Sequence, residues 1–479
     1  MKKIVIALAV LLLAPTLLCA QEGEGFEHLS PVAHGAGRTY GVTSRGLSAV
    51  GLNPALLGYD QDKTFEVQVF PLSAYGLDAG PSFSDASALS GVFNFSNGQI
   101  SDSARKSISS LLSNGKLSGR GDAEILGISY HLPTVGTFAF TWTTHAGLRT
   151  DIPQNFLDFF INAESQLVNS NGNSFSDFDL QGMWYSEYAA SFGTTVFKSS
   201  DSSSFLNSFS IGGAVKYVSG IAVLQLDPTN SFAYTPINNG TQIKVNYIVH
   251  SAFGADFDPK NVPNHFSFGF LTSNQAGSGM GTDLGVAIGL FGTKTGHSAL
   301  LIGISATDIG SINWTKNATE RTADHLSRTL SIPSGGNIKD LNDSLAALSG
   351  TLRDVSSFST PLPSMFRLGM QLDLDAMGVE WGVFVPKIAV EYANGLNSVV
   401  GSIKNGRLGA GLTLERTGNV DLRLGGGFVI EQGASDITLG AGITLLKFLS
   451  IDVASAHVGE FFKSGSKRTD VALGMRAAF

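Results

Sequence analysis

The sequence predicts an all-β protein: a membrane-spanning antiparallel β-barrel of about 14–16 strands, preceded by a short plug. Two observations carry this. Apolar residues recur with a period of two in segment after segment, the pattern of a strand with one apolar face. The opposite face is dominated by Gly, Ala, Thr and Ser, with a few charges of both signs. A soluble sandwich would hide its apolar rows and show Lys, Glu and Thr to water; these outer faces would solubilise poorly. In a membrane barrel the apolar row meets lipid and small residues line the lumen. The segments run ~9–12 residues, as tilted spanning strands require.

Composition removes the competing classes. The chain has 479 residues, of which 57 are Gly and only 15% are charged, against a usual ~25% charged. With 43% hydrophobic residues and 32 Phe it is no disordered polar chain. Outside the N-terminus no apolar run approaches the ~20 residues of a spanning helix. A net charge of -8 and a pI near 5.6 speak against nucleic-acid binding.

In chain order, residues 1–20 read as a cleaved signal peptide, with Lys2 and Lys3 before the apolar stretch from Ile4 to Leu18. A lipoprotein signal ending at Cys19 would need a small residue before the Cys, and Leu18 is not one. Cleavage after Ala20 removes the one cysteine, so the exported chain has no disulfide or thiolate chemistry. Residues 21–62 lack strand alternation and carry His28, His34, Arg38 and Arg45, as a polar plug or leader would.

The barrel is assigned to residues 63–479. Phe65, Val67 and Val69 open it; Phe138, Phe140 and Trp142 follow, then Phe209, Ile211, Val215 and Tyr217. Ile243, Val245, Tyr247 and Val249 make another row, as do Phe366, Leu368, Met370 and Leu372. The pattern is cleanest over 407–415, 420–431 and 437–445, and in the last strand, where Val471, Leu473, Met475, Ala477 and Phe479 share a face. The alternating segment ending in Phe479 reads as the C-terminal signal presented to the barrel assembly machinery. The inward faces carry Glu66, Lys216, Lys244, Arg367, Glu391, Arg407, Arg423 and Arg476. Their mixed signs suggest an ion-paired interior that holds a plug, where a selective channel would carry one sign. Three insertions have helical spacing: 101–116, 152–168 and 334–356.

One run ties the chain to a known family. Ser44-Arg45-Gly46-Leu47-Ser48-Ala49-Val50-Gly51-Leu52-Asn53-Pro54-Ala55 resembles the N-terminal hatch of long-chain fatty-acid transporters of the FadL type and of related outer-membrane barrels, including the type IX secretion shuttle PorV. Pro54 fixes its own φ and keeps Asn53 out of the helical region, so the chain turns in a set way. Gly277–Gly285, Thr307-Asp308-Ile309-Gly310 with Trp314, and Leu362-Pro363 look similar to Bacteroidetes-type members. Leu56 departs from the pattern, since the transporters place a small residue there.

The resemblance implies an outer-membrane protein in contact with lipid that takes up or binds hydrophobic, fatty-acid-like molecules. It makes Phe156, Phe159 and Phe160 a hydrophobic collecting site, although a simple cover over the barrel mouth suits these rings better. The PorV likeness implies the alternative, a barrel that holds secreted-protein or lipoprotein partners and transports nothing. The nine His show no metal-ligand spacing, and no phosphate loop or Gly-x-Ser-x-Gly elbow occurs. The expectation is therefore a non-enzyme without cofactor, metal or nucleic-acid partner.

Overall fold

The computed structural model describes residues 28, 30–59, 63–69, 75–79, 116–153, 155–156, 172–201, 204–237, 240–254, 275–293, 296–330, 350–379, 381–403, 405–418, 420–431, 434–459 and 469–479. The expected signal peptide lies outside them. So do Phe159, Phe160 and most of the segments with helical spacing.

The wall is built by neighbours in sequence, all antiparallel. β1 (Phe65–Val69) and β2 (Tyr75–Ala79) occupy one position and both pair with β3 (Lys116–Leu132). β4 (Gly136–Asp151) follows across the tight turn at Thr134. Short β5 (Asn173–Ser176) leaves the wall, which resumes with β6 (Asp179–Lys198) and β7 (Leu206–Leu226). β8 (Ser231–Ile237) and β9 (Gly240–Phe253) again stand outside. β10 (Gly277–Gly292) pairs with β7 and then with β11 (Ser298–Trp314).

After β11, β12 (Thr319–Leu330) and β13 (Thr351–Asp354) form a second excursion. β14 (Phe358–Pro361) and β15 (Met365–Asp373) share one wall position against β11. The rest is a regular meander: β16 (Val385–Gly395), β17 (Arg407–Arg416), β18 (Asp421–Glu431), β19 (Ala434–Leu445), β20 (Leu449–Ser455) and β21 (Thr469–Ala478). β21 then pairs with β1 and β2, so the sheet has no free edge. With β1/β2 and β14/β15 each counted once and the outlying strands omitted, the closed barrel has 14 strands. Phe479 completes the seam: its amide donates to Phe65 O at 2.7 Å and its carbonyl accepts from Thr64 at 2.7 Å.

The two faces of the wall divide as the alternation requires. Phe138, Phe140, Ile211, Val215, Ile437, Leu439 and Leu473 are 42–57% exposed. A continuous outer belt this apolar is a lipid-facing surface. The residues between them, such as Ala139, Ser210, Thr438 and Ala472, are buried inside the ring. The fold is thus a transmembrane β-barrel.

Two expectations need correction. The row Ile243–Val249 is no membrane strand. β9 belongs to a five-stranded exterior sheet ordered β5-β8-β9-β12-β13, fused to the rim where Leu226 of β7 pairs with Val249. Ile243 and Val245 are buried in its core, and Lys244 is exposed on its outer face, not in the lumen. Period-two alternation marks any sheet with one apolar face, whether lipid or protein covers it. The end of the expected helix 334–356 is also a strand, since Thr351–Asp354 pairs with β12.

Candidate functional site: a plugged lumen beneath an aromatic pocket

The segment 28–59 fills the ring. Its helices α1 (Pro31–Gly35) and α2 (Tyr40–Thr43) and its two 3-10 turns, Gly46–Ala49 and Pro54–Leu57, are almost entirely buried. Pro31 starts α1, where the missing N–H costs nothing. Asn53 organises the second 3-10 turn. Its Oδ1 accepts from Ala55 N at 3.2 Å, while Nδ2 donates to Gly41 O at 2.9 Å and Val286 O at 3.4 Å, tying the turn to α2 and to β10. Leu56, the departure from the transporter pattern, is buried against Ala287 of β10 and Leu301 of β11, where it fills space a small residue would leave.

The glycine-bearing inner face has a physical reason. Plug backbone lies directly on wall backbone there. A Cβ at Gly409 would stand 1.8 Å from Gly37 O, and one at Gly212 would stand 2.3 Å from the Pro54 carbonyl. Polar contacts then fix the register. Arg38 reaches Glu431 at 2.9 Å and Asp470 at 3.3 Å; His34 bonds Asp470 and Tyr40. Leu47 N donates to Glu66 at 2.6 Å, and Ser305 Oγ to Leu52 O at 2.7 Å. Arg407 lies over the Tyr40 ring, 5.4 Å from its centroid.

On the β7–β10–β11 side the wall carries its own network. Lys216, fully buried, meets Asp308 at 2.7 Å, Asp283 at 3.0 Å and Glu187 at 3.2 Å. A register shift between Thr282 and Leu284 breaks the β10–β11 ladder, and Asp308 has φ +59°. Such a bulge re-aims side chains. Here Asp308 N donates to Asp283 Oδ1 at 2.8 Å, which turns both carboxylates toward one ammonium. The sequence patches 277–285 and 307–314 are the two halves of this bulged pair.

At the end with long connections, the exterior sheet and the adjoining rim line an open apolar pocket of about 440 Å³. That is within the ~300–1,000 Å³ usual for small-molecule sites. Phe156, helical among the described residues of the 152–168 insertion, lines it with Phe178, Phe232, Val245 and Tyr247; Asp179, Asn230, Asn246 and Arg321 are among its polar lining residues. Phe156 meets Phe178 at 4.9 Å, Phe232 at 5.1 Å and Phe175 at 5.5 Å, all edge to face, a preferred aromatic geometry. Burial pushes the Tyr247 hydroxyl above its ordinary range, with Arg321 pulling weakly the other way, so it stays protonated. The hydroxyl is a donor at any physiological pH.

Sequence spacing missed the partners of Phe156, because Phe178, Phe232 and Tyr247 come from distant strands. His145, which no local spacing singles out, is 2% exposed inside the barrel and bonded to Asp122 at 2.6 Å.

A closed 14-strand membrane barrel with an internal plug and a capping sheet defines the class. Within it the chain belongs to a family of unknown function, DUF5723, whose model matches residues 54–444. Among curated proteins no sequence matches. Among solved structures the chain is similar to the toluene transporter TbuX of Ralstonia pickettii, with 11% identity, TM-score 0.41, and 95% of this chain and 99% of that one covered. It is also similar to the toluene transporter TodX of Pseudomonas putida, with 11% identity, TM-score 0.38, and 96% and 98% covered. A FadL homologue of Pseudomonas aeruginosa gives 11% identity, TM-score 0.37, and 95% and 97% covered. These are distant likenesses, and the functional reading rests on the chain's own pocket.

Proposed function

We propose that this is an outer-membrane barrel that captures hydrophobic or amphipathic small molecules at its long-loop end and passes them inward past the plug. Outer-membrane barrels keep short turns on the periplasmic side and long loops outside. By that rule the turns at Thr134, Thr417 and Leu446 are periplasmic and the exterior sheet faces the medium. The observation that carries the reading is the aromatic pocket. Its exposed lining is almost wholly apolar, and Asp179, Asn230, Asn246 and Arg321 are among the residues that line it, as suits a ligand with an apolar body and a polar end.

The test is binding of dodecanoate to the purified protein in detergent, followed by calorimetry. Saturable binding that weakens at least tenfold in Phe232→Ala and Arg321→Ala supports the proposal. Folded variants that bind as tightly as the parent, or a folded parent that binds nothing, end it.

A further inference from the structure

Where the first described residue of the plug meets the wall, three donor side chains converge. His28, His145 of β4 and Glu187 of β6 each bring one ligand atom, and these atoms all lie within 4.8 Å of one another. The residues are 6%, 2% and 1% exposed. His28 Nε2 stands 3.2 Å from Glu187 Oε1, and the two imidazoles meet edge-on with centroids 5.3 Å apart. The plug is shaped to seat this ring. Gly51 has φ +72°, and a Cβ there would fall 1.9 Å from His28 Cδ2.

Three features set this cluster apart from a simple ion pair. His145 uses Nδ1 on Asp122 Oδ1, at 2.6 Å. With that nitrogen donating, the ring's lone pair falls on Nε2, and a carboxylate behind the imidazole is the usual support of a metal-bound histidine. Glu187 Oε1 takes both His28 and Lys216, while its Oε2 is buried with no hydrogen-bond partner among the described residues. A buried carboxylate oxygen left so is costly unless a cation meets it. Charge points the same way: Glu187, Asp283 and Asp308 gather around one ammonium, Lys216, and Asp122 adds a further carboxylate behind His145.

We infer that His28, His145 and Glu187 form a binding site for a divalent transition metal of the zinc class, with Asp122 as the positioning residue for His145. Two imidazoles and one carboxylate suit Zn²⁺ and leave a fourth position for water or another ligand. Donors ~2.0–2.2 Å from zinc stand roughly 3.3 Å apart, so the three side chains draw together on binding. Only His28 comes from the plug. The ion therefore pins the plug at His28 to β4 and β6, and the inference is independent of what the pocket takes.

The experiment uses the full chain without a polyhistidine tag, in detergent, stripped with EDTA and dialysed against micromolar Zn²⁺. Folding is followed by heat-modifiable gel mobility and metal by elemental analysis. One zinc per folded chain is expected, and none above background in His28→Ala, a plug variant that leaves the wall intact. Asp122→Asn should bind roughly 10–100-fold more weakly. Co²⁺ in place of zinc should give the visible absorption of a four- or five-coordinate ion in the parent and not in His28→Ala. A folded parent that keeps no zinc, or a folded His28→Ala that keeps as much as the parent, overturns the site and leaves the cluster a buried ion-pair network.

Discussion

The lumen floor and the exterior sheet are built from the same alternating strands and solve opposite packing problems. In the lumen the buried face is glycine, because the plug backbone rests on it, and charge pairs such as Arg38 with Glu431 and Asp470 set the register. In the exterior sheet the buried face is aromatic and aliphatic, and Phe175, Tyr234, Ile243 and Val245 pack into one core beside the pocket. What covers a strand's face, backbone or side chain, decides whether that face carries glycine or phenylalanine.

The contrast breaks most sharply at Arg38. Arg38→Ala leaves Glu431 and Asp470 facing each other without their shared cation, and should cost about 3–5 kcal/mol. The plug should then become susceptible to proteolysis, and the protein should show raised conductance in planar bilayers, while the wall keeps its folded gel mobility. Next comes Gly409→Ala, which sets a methyl against the Gly37 carbonyl and should cost roughly 1–3 kcal/mol, read as faster hydrogen exchange across 31–43 with dodecanoate binding unchanged. Ile243→Val should do the reverse at about 0.5–1.5 kcal/mol: weaker dodecanoate binding and looser β8–β9 amides, with plug protection intact. Lys244→Ala, on the exposed face of the same strand, should change stability by less than about 0.5 kcal/mol. Equal effects of Ile243→Val and Lys244→Ala would show that β9 is not buried on one side.

How much of this was legible in the sequence follows the same divide. The barrel was, because lipid leaves a periodic trace: Phe428, Ile430, Ile437 and Leu439 read directly as outward residues. The closed seam was half legible, in Phe479 and its alternating strand, though its pairing with β1 joins opposite ends of the chain. The row Ile243–Val249 was misread, since a face covered by other strands leaves the same period as one covered by lipid. Nothing local could place His28, His145 and Glu187 together, because their approach depends on the plug's path through the ring. Lys216 was correctly seen as inward, but its carboxylate partners come from a bulge that only the β10–β11 pairing reveals.

Two kinds of exposed apolar residue meet different media, lipid around the wall and water around the exterior sheet. Phe428 and Leu473 on the wall are 47% exposed each, and Leu352 on β13 is 54% exposed. In nanodiscs, spin labels placed by Phe428→Cys, Leu473→Cys and Leu352→Cys in a chain carrying Cys19→Ser report the medium around each site. The wall labels should collide with oxygen and be shielded from a water-soluble nickel chelate, while the Leu352 label should show the opposite order. Wall labels quenched by the chelate as freely as the Leu352 label would contradict the barrel's orientation toward lipid, and with it the plug and the pocket built upon it.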